Sequence, residues 1–241
     1  MPETAVKVEA PPPVRLAGVL YLIVLASGTF GEFVVKNSLV SNDAAATARN
    51  ILTSEQFFRL GFAGDLVDIA CYVGVTIILY LLLKPVTPGL AMASAVFSFI
   101  GAAIGAAVSL LYFTPLALLS GAPYTAAFAS DELASLARMA LRLHTLGYNI
   151  CLLFFGLHMI LAGFVMQAAP FLPRVLGWLL ALGGLCYLIN SGALFVWPSL
   201  FMLIYPYILV PAVASELLLA LWLLLAGIDS KKWRASVNLR L

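Results

Sequence analysis

Charge is what this chain most lacks: only 10% of its 241 residues are Asp, Glu, Lys or Arg, while 63% are hydrophobic. No fold could cover so much apolar surface with so few ionisable groups, so a water-soluble globule is excluded and an integral membrane protein is implied. The 13 basic residues exceed the 11 acidic ones by only two and are scattered, which excludes a nucleic-acid partner, since that needs a concentrated basic face. Cys71, Cys151 and Cys186 all fall inside apolar runs with no CxxC pair, the pattern of small packing residues. There are just two histidines, His144 and His158. Their separation corresponds to about 21 Å along a helix, too far to ligate one iron, and no third histidine exists to complete a haem site. An HExxH zinc motif is also missing.

What the chain has in plenty is long apolar runs. A hydrocarbon core of about 30 Å needs about 20 helical residues, and six stretches qualify: about 14–36, 57–83, 89–119, 141–167, 174–197 and 205–227. The expected fold is therefore all-α, a polytopic six-transmembrane-helix bundle over 14–228. A flexible Pro-rich tail over 1–13 and a basic tail over 229–241 flank it. Arg15 ahead of an apolar stretch imitates a secretory signal, but the stretch continues past any plausible cleavage site, so it reads as a retained helix.

Orientation follows from the loop cations. One side holds Lys7, Arg15, Lys84, Arg174, Lys231, Lys232, Arg234 and Arg240 on short connections, and the other Lys36, Arg49, Arg59, Arg138 and Arg142 on longer ones. Both termini are expected in the cytoplasm. The outer loops, 37–56 and 120–140, each predict a helix; in the second, Ser130 caps a helix opened by Asp131 and Glu132 that runs into the fourth span. Trp197, Tyr205 and Tyr207 suit interface anchors. The third span, rich in Gly, Ala and Ser and carrying Gly101 and Gly105, is expected to be the helix buried against most neighbours. Pro211 predicts a kink in the sixth span beside Glu216.

Against this apolar background the few polar residues stand out. "FFRLGFAGDLVDIACYVGVTIILYLLLK", residues 57–84, carries Asp65 and Asp68 on one helix face. A charged Asp at a helix centre costs roughly 2.5 to 3.5 kcal/mol on insertion scales, so something must offset it. Helix-rise arithmetic places Asp68, His158 and Glu216 near the midplane, with Glu32, Asp65, Asn149 and Asn190 above them. Arg142 joins these as a pocket residue at the rim, and Arg59 and His144 form the pocket mouth. The expectation is a polar pocket open to the outside and closed toward the cytoplasm by apolar packing. Embedded carboxylates accompanied only by rim arginines must be protonated, bridged by water, or neutralised by a bound cation.

Each residue also has a purely structural reading. Either aspartate could pair with Arg142, Glu216 could hydrogen-bond a carbonyl, and Asn190 and His158 could join helices. Glu32, Arg59 and His144 lie near enough to headgroups to be solvated. A ligand-binding protein or accessory subunit of a membrane complex leads the functional readings. The first alternative is a proton- or cation-coupled small-molecule transporter. The second is an intramembrane metal-dependent hydrolase, for which Asp68, His158 and Glu216 are the one three-ligand set on offer. No metal or other cofactor is assigned. The expected partners are the lipid bilayer and either a small amphipathic or cationic ligand or another membrane protein.

The stretches "RLAGVLYLIVLASGTFGEFVVKNSLV", "DAAATARNI", "FRLGFAGDL", "LYLLLKPV", "FFGLH" and "LPRVLGWLLALGGLCYLINS" together resemble a bacterial family of six-span membrane proteins catalogued as a domain of unknown function. The resemblance runs from Arg15 to Gly227. It implies a multi-pass protein of the bacterial inner (plasma) membrane and carries no activity or residue role with it. The family's pattern includes the Asp65 and His158 stretches, which favours a functional reading of those two positions.

Overall fold

The apolar runs form helices because in lipid every backbone N–H and C=O must be satisfied within its own segment. The computed structural model describes residues 10–238; of the expected N-terminal tail only 10–13 fall within it, and Lys7 and Arg240 lie outside the described residues. Among those residues there are no strands. Six helices are long and apolar enough to cross a membrane: α1 (Val14–Leu39), α3 (Glu55–Leu83), α4 (Pro88–Leu119), α5 (Ser130–Ala168), α6 (Arg174–Val196) and α8 (Tyr207–Leu225). Among the described residues there are also three short α-helices, α2 (Ala44–Thr53), α7 (Pro198–Ile204) and α9 (Ser230–Asn238), and a 3-10 turn at Pro123–Thr125. The molecule is a multi-pass membrane protein.

Local chemistry sets the helix ends. Asp43 caps α2 by accepting from the backbone N–H groups of Ala45 and Ala46. Pro88 occupies the first turn of α4, where a missing N–H costs nothing. The N-terminus of α5 is fixed by the Glu132 carboxylate, which accepts from the Ala129 N–H at 2.8 Å, so Ser130 is the first helical residue and the expected serine cap is replaced by a glutamate three residues on. Gly227, at φ 69°, ends α8 in the left-handed conformation that glycine adopts freely. Pro211 lies in the first turn of the α-helical part of α8, directly after the 3-10 turn Tyr207–Leu209, where its missing N–H costs nothing.

Sequence-adjacent spans pack side by side, α1 on α3, α3 on α4, α4 on α5, α5 on α6 and α6 on α8, and α8 returns to pack on α1. The six helices thus close a ring. One end of the ring carries α2 and the α4–α5 connection; the other carries the 84–87 and 169–173 turns and α9. The end bearing the turns is filled by an apolar core that includes Ala17, Leu79, Leu82, Met166, Leu180 and Leu223. Trp233 of α9 is buried in that core and donates its indole N–H to the Leu82 carbonyl at 3.1 Å.

The helix at the centre of this packing is α5. More than half of its apolar window is buried, 56%, against 33% for α4, which corrects the expectation placed on the small-residue third span. The reason is a pair of glycine contacts between α5 and α6. A Cβ on Gly163 would come 2.5 Å from the Gly177 carbonyl oxygen, and one on Gly156 would come 2.7 Å from that of Gly184. Backbones that close tolerate no side chain, so the two helices meet in van der Waals contact along their length. Helix α1 extends to Leu39, beyond the expected residue 36, through a π-helical turn at Phe30–Val35. Lys36, directly after that turn, is buried in the bundle at 9% exposed.

Candidate functional site

Inside the ring, toward the α2 end, the helices part around a cavity of about 250 Å³. This far exceeds the roughly 10–15 Å³ that one water requires and falls just below the roughly 300 Å³ at which drug-sized sites begin. Helices α1, α3, α5, α6 and α8 each supply wall residues, among them Glu32, Asp68, Asn149, Asn190 and Glu216, with Arg142 also on the lining. Aromatic rings of Phe33, Tyr72, Tyr148, Phe155, Tyr187 and Tyr205 make much of the remaining surface.

Glu216 anchors one wall. Three phenols from three helices donate to its carboxyl group: Tyr21 to Oε1 at 3.1 Å, Tyr72 to Oε1 at 3.4 Å and Tyr187 to Oε2 at 3.0 Å. The Tyr21 and Tyr72 rings meet edge to face, with centroids 5.8 Å apart. A buried carboxyl group with three hydroxyl partners is satisfied by the fold, which ties α1, α3 and α6 to α8.

Asp68 differs. It lines the same cavity, yet among the described residues no hydrogen bond or salt bridge reaches its carboxylate. It lies against α1 where that helix carries Gly28; a Cβ there would be 3.1 Å from Asp68 Oδ1. Nearby, Asn190 donates its amide to Asn149 Oδ1 at 2.9 Å, and Asn149 donates to the Thr145 carbonyl at 2.9 Å. That leaves the carbonyl oxygen of Asn190, a residue only 1% exposed, buried without a partner.

Behind the cavity wall lies a second polar cluster. Lys36 Nζ is 2.6 Å from Glu32 Oε1 and 2.6 Å from His144 Nδ1. A lysine ammonium can only donate, so His144 Nδ1 accepts and the ring hydrogen sits on Nε2. Nε2 is 3.4 Å from Asp65 Oδ2, within ion-pair distance but off the line of a hydrogen bond. Ser109 completes the chain by donating to Asp65 Oδ2 at 2.8 Å. Tyr112 lies beneath, its ring 5.1 Å from the ammonium and edge-on to His144 at 5.3 Å. Glu32 belongs to both groupings, since it pairs with Lys36 and lines the cavity.

The expected site residues therefore divide. Asp68, Asn149, Asn190, Glu216, Glu32 and Arg142 share the cavity. Asp65, one turn nearer the N-terminal end of α3 than Asp68, is held in the lysine–histidine cluster, where it meets Ser109 of α4 and His144 of α5. His144, expected at a solvated mouth, is fully buried in that cluster, because α5 continues beyond it for a further 14 residues toward its N-terminus at Ser130. Arg59 stays on the surface, paired with Glu55 one turn earlier at 2.7 Å. His158 does not line the cavity. Its Nδ1 is 2.8 Å from Ser94 Oγ and 3.0 Å from the Ser94 carbonyl, a tie between α5 and α4.

Asp68, His158 and Glu216 consequently form no three-ligand set. The group of donors that does converge is Glu32, Asp65 and His144, whose ligand atoms all lie within 4.8 Å of one another. Lys36 already places a positive charge against two of them, which opposes a second cation. Sequence reading missed Lys36, Tyr21, Tyr72, Tyr187, Ser94 and Ser109. For Lys36 the signal was present: Glu32 and Lys36 are spaced i, i+4, the separation of a helical ion pair.

A family model described as "Domain of unknown function (DUF4386)" matches residues 16–227. No curated protein and no solved structure matches the chain.

Proposed function

The chain belongs to the DUF4386 family, a domain of unknown function, and from that premise we propose that it is a small-molecule-binding membrane protein whose cavity takes an amphipathic ligand. The carrying observation is Asp68, a carboxylate without a protein partner among the described residues, in a chamber walled largely by aromatic and apolar side chains. A group that costs kcal/mol to embed and has nothing to offset it in the protein is a functional site by default. The protein resides in the bacterial plasma membrane with both termini cytoplasmic, so that the cavity faces outward. Purified protein in nanodiscs should bind a small amphipathic probe saturably, with one site per chain, and replacing Asp68 by Asn should change that binding. Absence of saturable binding would refute the reading.

A transporter is the second reading, favoured by one observation: Glu32 connects the cavity to the Lys36–His144–Asp65 chain, a run of proton-exchanging groups. The apolar core filling the opposite end of the ring weighs against it. Flux of a bound probe in proteoliposomes separates the two. An accessory-subunit role is tested by co-purification of a stoichiometric partner from native membranes.

A further inference from the structure

The cavity walls carry information about the chemistry of the occupant, and this inference rests on the binding role proposed above. Four carboxyl groups stand in the interior of the bundle, Glu32, Asp65, Asp68 and Glu216. Their neighbours are unequal. Lys36 is matched to Glu32 at 2.6 Å, Asp65 has Ser109 and His144, and Glu216 has three tyrosines. Asp68 alone has no partner among the described residues. Arg142, the one arginine on the cavity lining, forms no ion pair with any of these acids and is exposed at the rim.

A second unsatisfied group belongs to a lining residue: the carbonyl oxygen of Asn190 is buried and without a donor. Both vacant positions are acceptors. A neutral alcohol could give one hydrogen, and a carboxylate could give none. A primary ammonium carries three N–H donors and the positive charge that Asp68 lacks. The surrounding aromatic residues Tyr72, Tyr148, Phe155 and Tyr187 suit an apolar tail, and a ring face attracts a cation. A lone metal ion would leave most of a 250 Å³ chamber unfilled and has no apolar part to set against the rings.

We propose that the occupant is a small organic cation, a primary ammonium on a short apolar tail, held by Asp68 with the Asn190 carbonyl as its second acceptor. Asp68 supplies the charge, Asn190 the direction, and the aromatic walls the affinity for the tail.

The experiment is calorimetric titration of the full chain in nanodiscs with hexylammonium, and in parallel with 1-hexanol, hexanoate, hexyltrimethylammonium and sodium chloride. Hexylammonium should bind best, and Asp68→Asn should weaken it by about tenfold to a hundredfold, the worth of one charge-assisted hydrogen bond. Gly28→Ala, which crowds Asp68 Oδ1 without altering charge, should weaken hexylammonium as well and guards against a folding defect in the first variant. Arg59→Gln, on the surface, should leave binding unchanged. If hexanol or hexanoate binds as tightly as hexylammonium, or hexylammonium binding survives Asp68→Asn in a folded protein, the ammonium assignment is overturned while the binding role stands. If hexyltrimethylammonium binds best, the Asn190 contact is overturned; if sodium alone binds, the organic class is. If no probe binds, both the assignment and the binding role fall.

Discussion

Lys36 Nζ and His144 Nδ1 stand 2.6 Å apart, joining the π-helical end of α1 to α5 at a point where neither side chain reaches water. The contact makes Lys36 the cation on which Glu32, and through His144 Asp65, depend. Removing it leaves two acids with no cation in a buried site. Lys36→Met should lower stability by about 3 to 5 kcal/mol, the cost of breaking a buried ionic group from one side. Adding Glu32→Gln to that variant should restore part of the loss. Thermal unfolding in detergent checks both; a single variant as stable as the parent would show the cluster to be ornamental.

The glycine contacts of α5 and α6 predict a sharp steric response. Gly163→Leu and Gly156→Leu each drive a side chain into a backbone carbonyl of α6, at Gly177 and Gly184 respectively, and should destabilise by about 1 to 3 kcal/mol or prevent folding. Gly89→Leu, where a Cβ would meet nothing within 4 Å, should be tolerated. Expression and monodispersity by size exclusion distinguish the sites.

Tyr187→Phe removes one of three donors from Glu216 and keeps the ring. A loss of about 1 to 2 kcal/mol is expected, since the carboxyl group retains Tyr21 and Tyr72. The triple replacement of Tyr21, Tyr72 and Tyr187 by Phe should cost more than three times that value, because the last donor removed leaves a buried carboxyl group bare. Additive losses would contradict the shared-acceptor geometry.

At the other end of the molecule Asp229 accepts from the backbone N–H groups of Lys231 and Lys232, each at 3.1 Å, and so caps α9. The Lys232 backbone bond, with that of Lys231 and the nearby Lys232 ammonium, holds the Asp229 carboxyl below the usual aspartate range. A group whose pKa is depressed on folding stabilises the structure above its unfolded value and ceases to do so as pH falls through the folded one. Docking of α9 should therefore weaken in acid below the ordinary aspartate range, and Asp229→Ala should produce the same release at neutral pH. Hydrogen exchange at Trp233 reports it; protection unchanged by the substitution would refute the cap.

Much of the architecture was legible because lipid imposes it. Six runs near 20 apolar residues can only be helices; the first outer loop showed its helix in an Ala-rich, polar stretch, and the second in Asp131 and Glu132 at the start of a helix that runs into the fourth span. The burial ranking was not legible. Small residues in α4 promised close packing, but closeness depends on two glycines meeting across a register, as Gly163 meets Gly177, and register is a property of pairs of helices. The site was half readable for a similar reason. Counting along a helix fixes depth, so Asp68, Asn190 and Glu216 were expected at the levels where the cavity lies. It does not fix azimuth, and azimuth sends Asp65 to Ser109 and His158 to Ser94. Lys36, the last residue of the expected first span, was counted with the outer loop cations; the π-helical turn just before it leaves no composition signature. Tyr21, Tyr72 and Tyr187 lie on three different spans inside apolar runs, and no spacing within one span marks their shared acceptor.

The central claim, a wet chamber that leaves Asp68 open to a ligand, is tested most directly by thiol accessibility. In a chain whose Cys71, Cys151 and Cys186 are replaced by Ala, Asp68→Cys and Leu66→Cys differ in one respect: position 68 lines the cavity, and position 66 is exposed on the outer surface of the bundle. A charged, membrane-impermeant methanethiosulfonate added to the outer face of sealed vesicles should modify Cys at 68 rapidly and leave Cys at 66 untouched. Equal protection of the two positions would contradict the account.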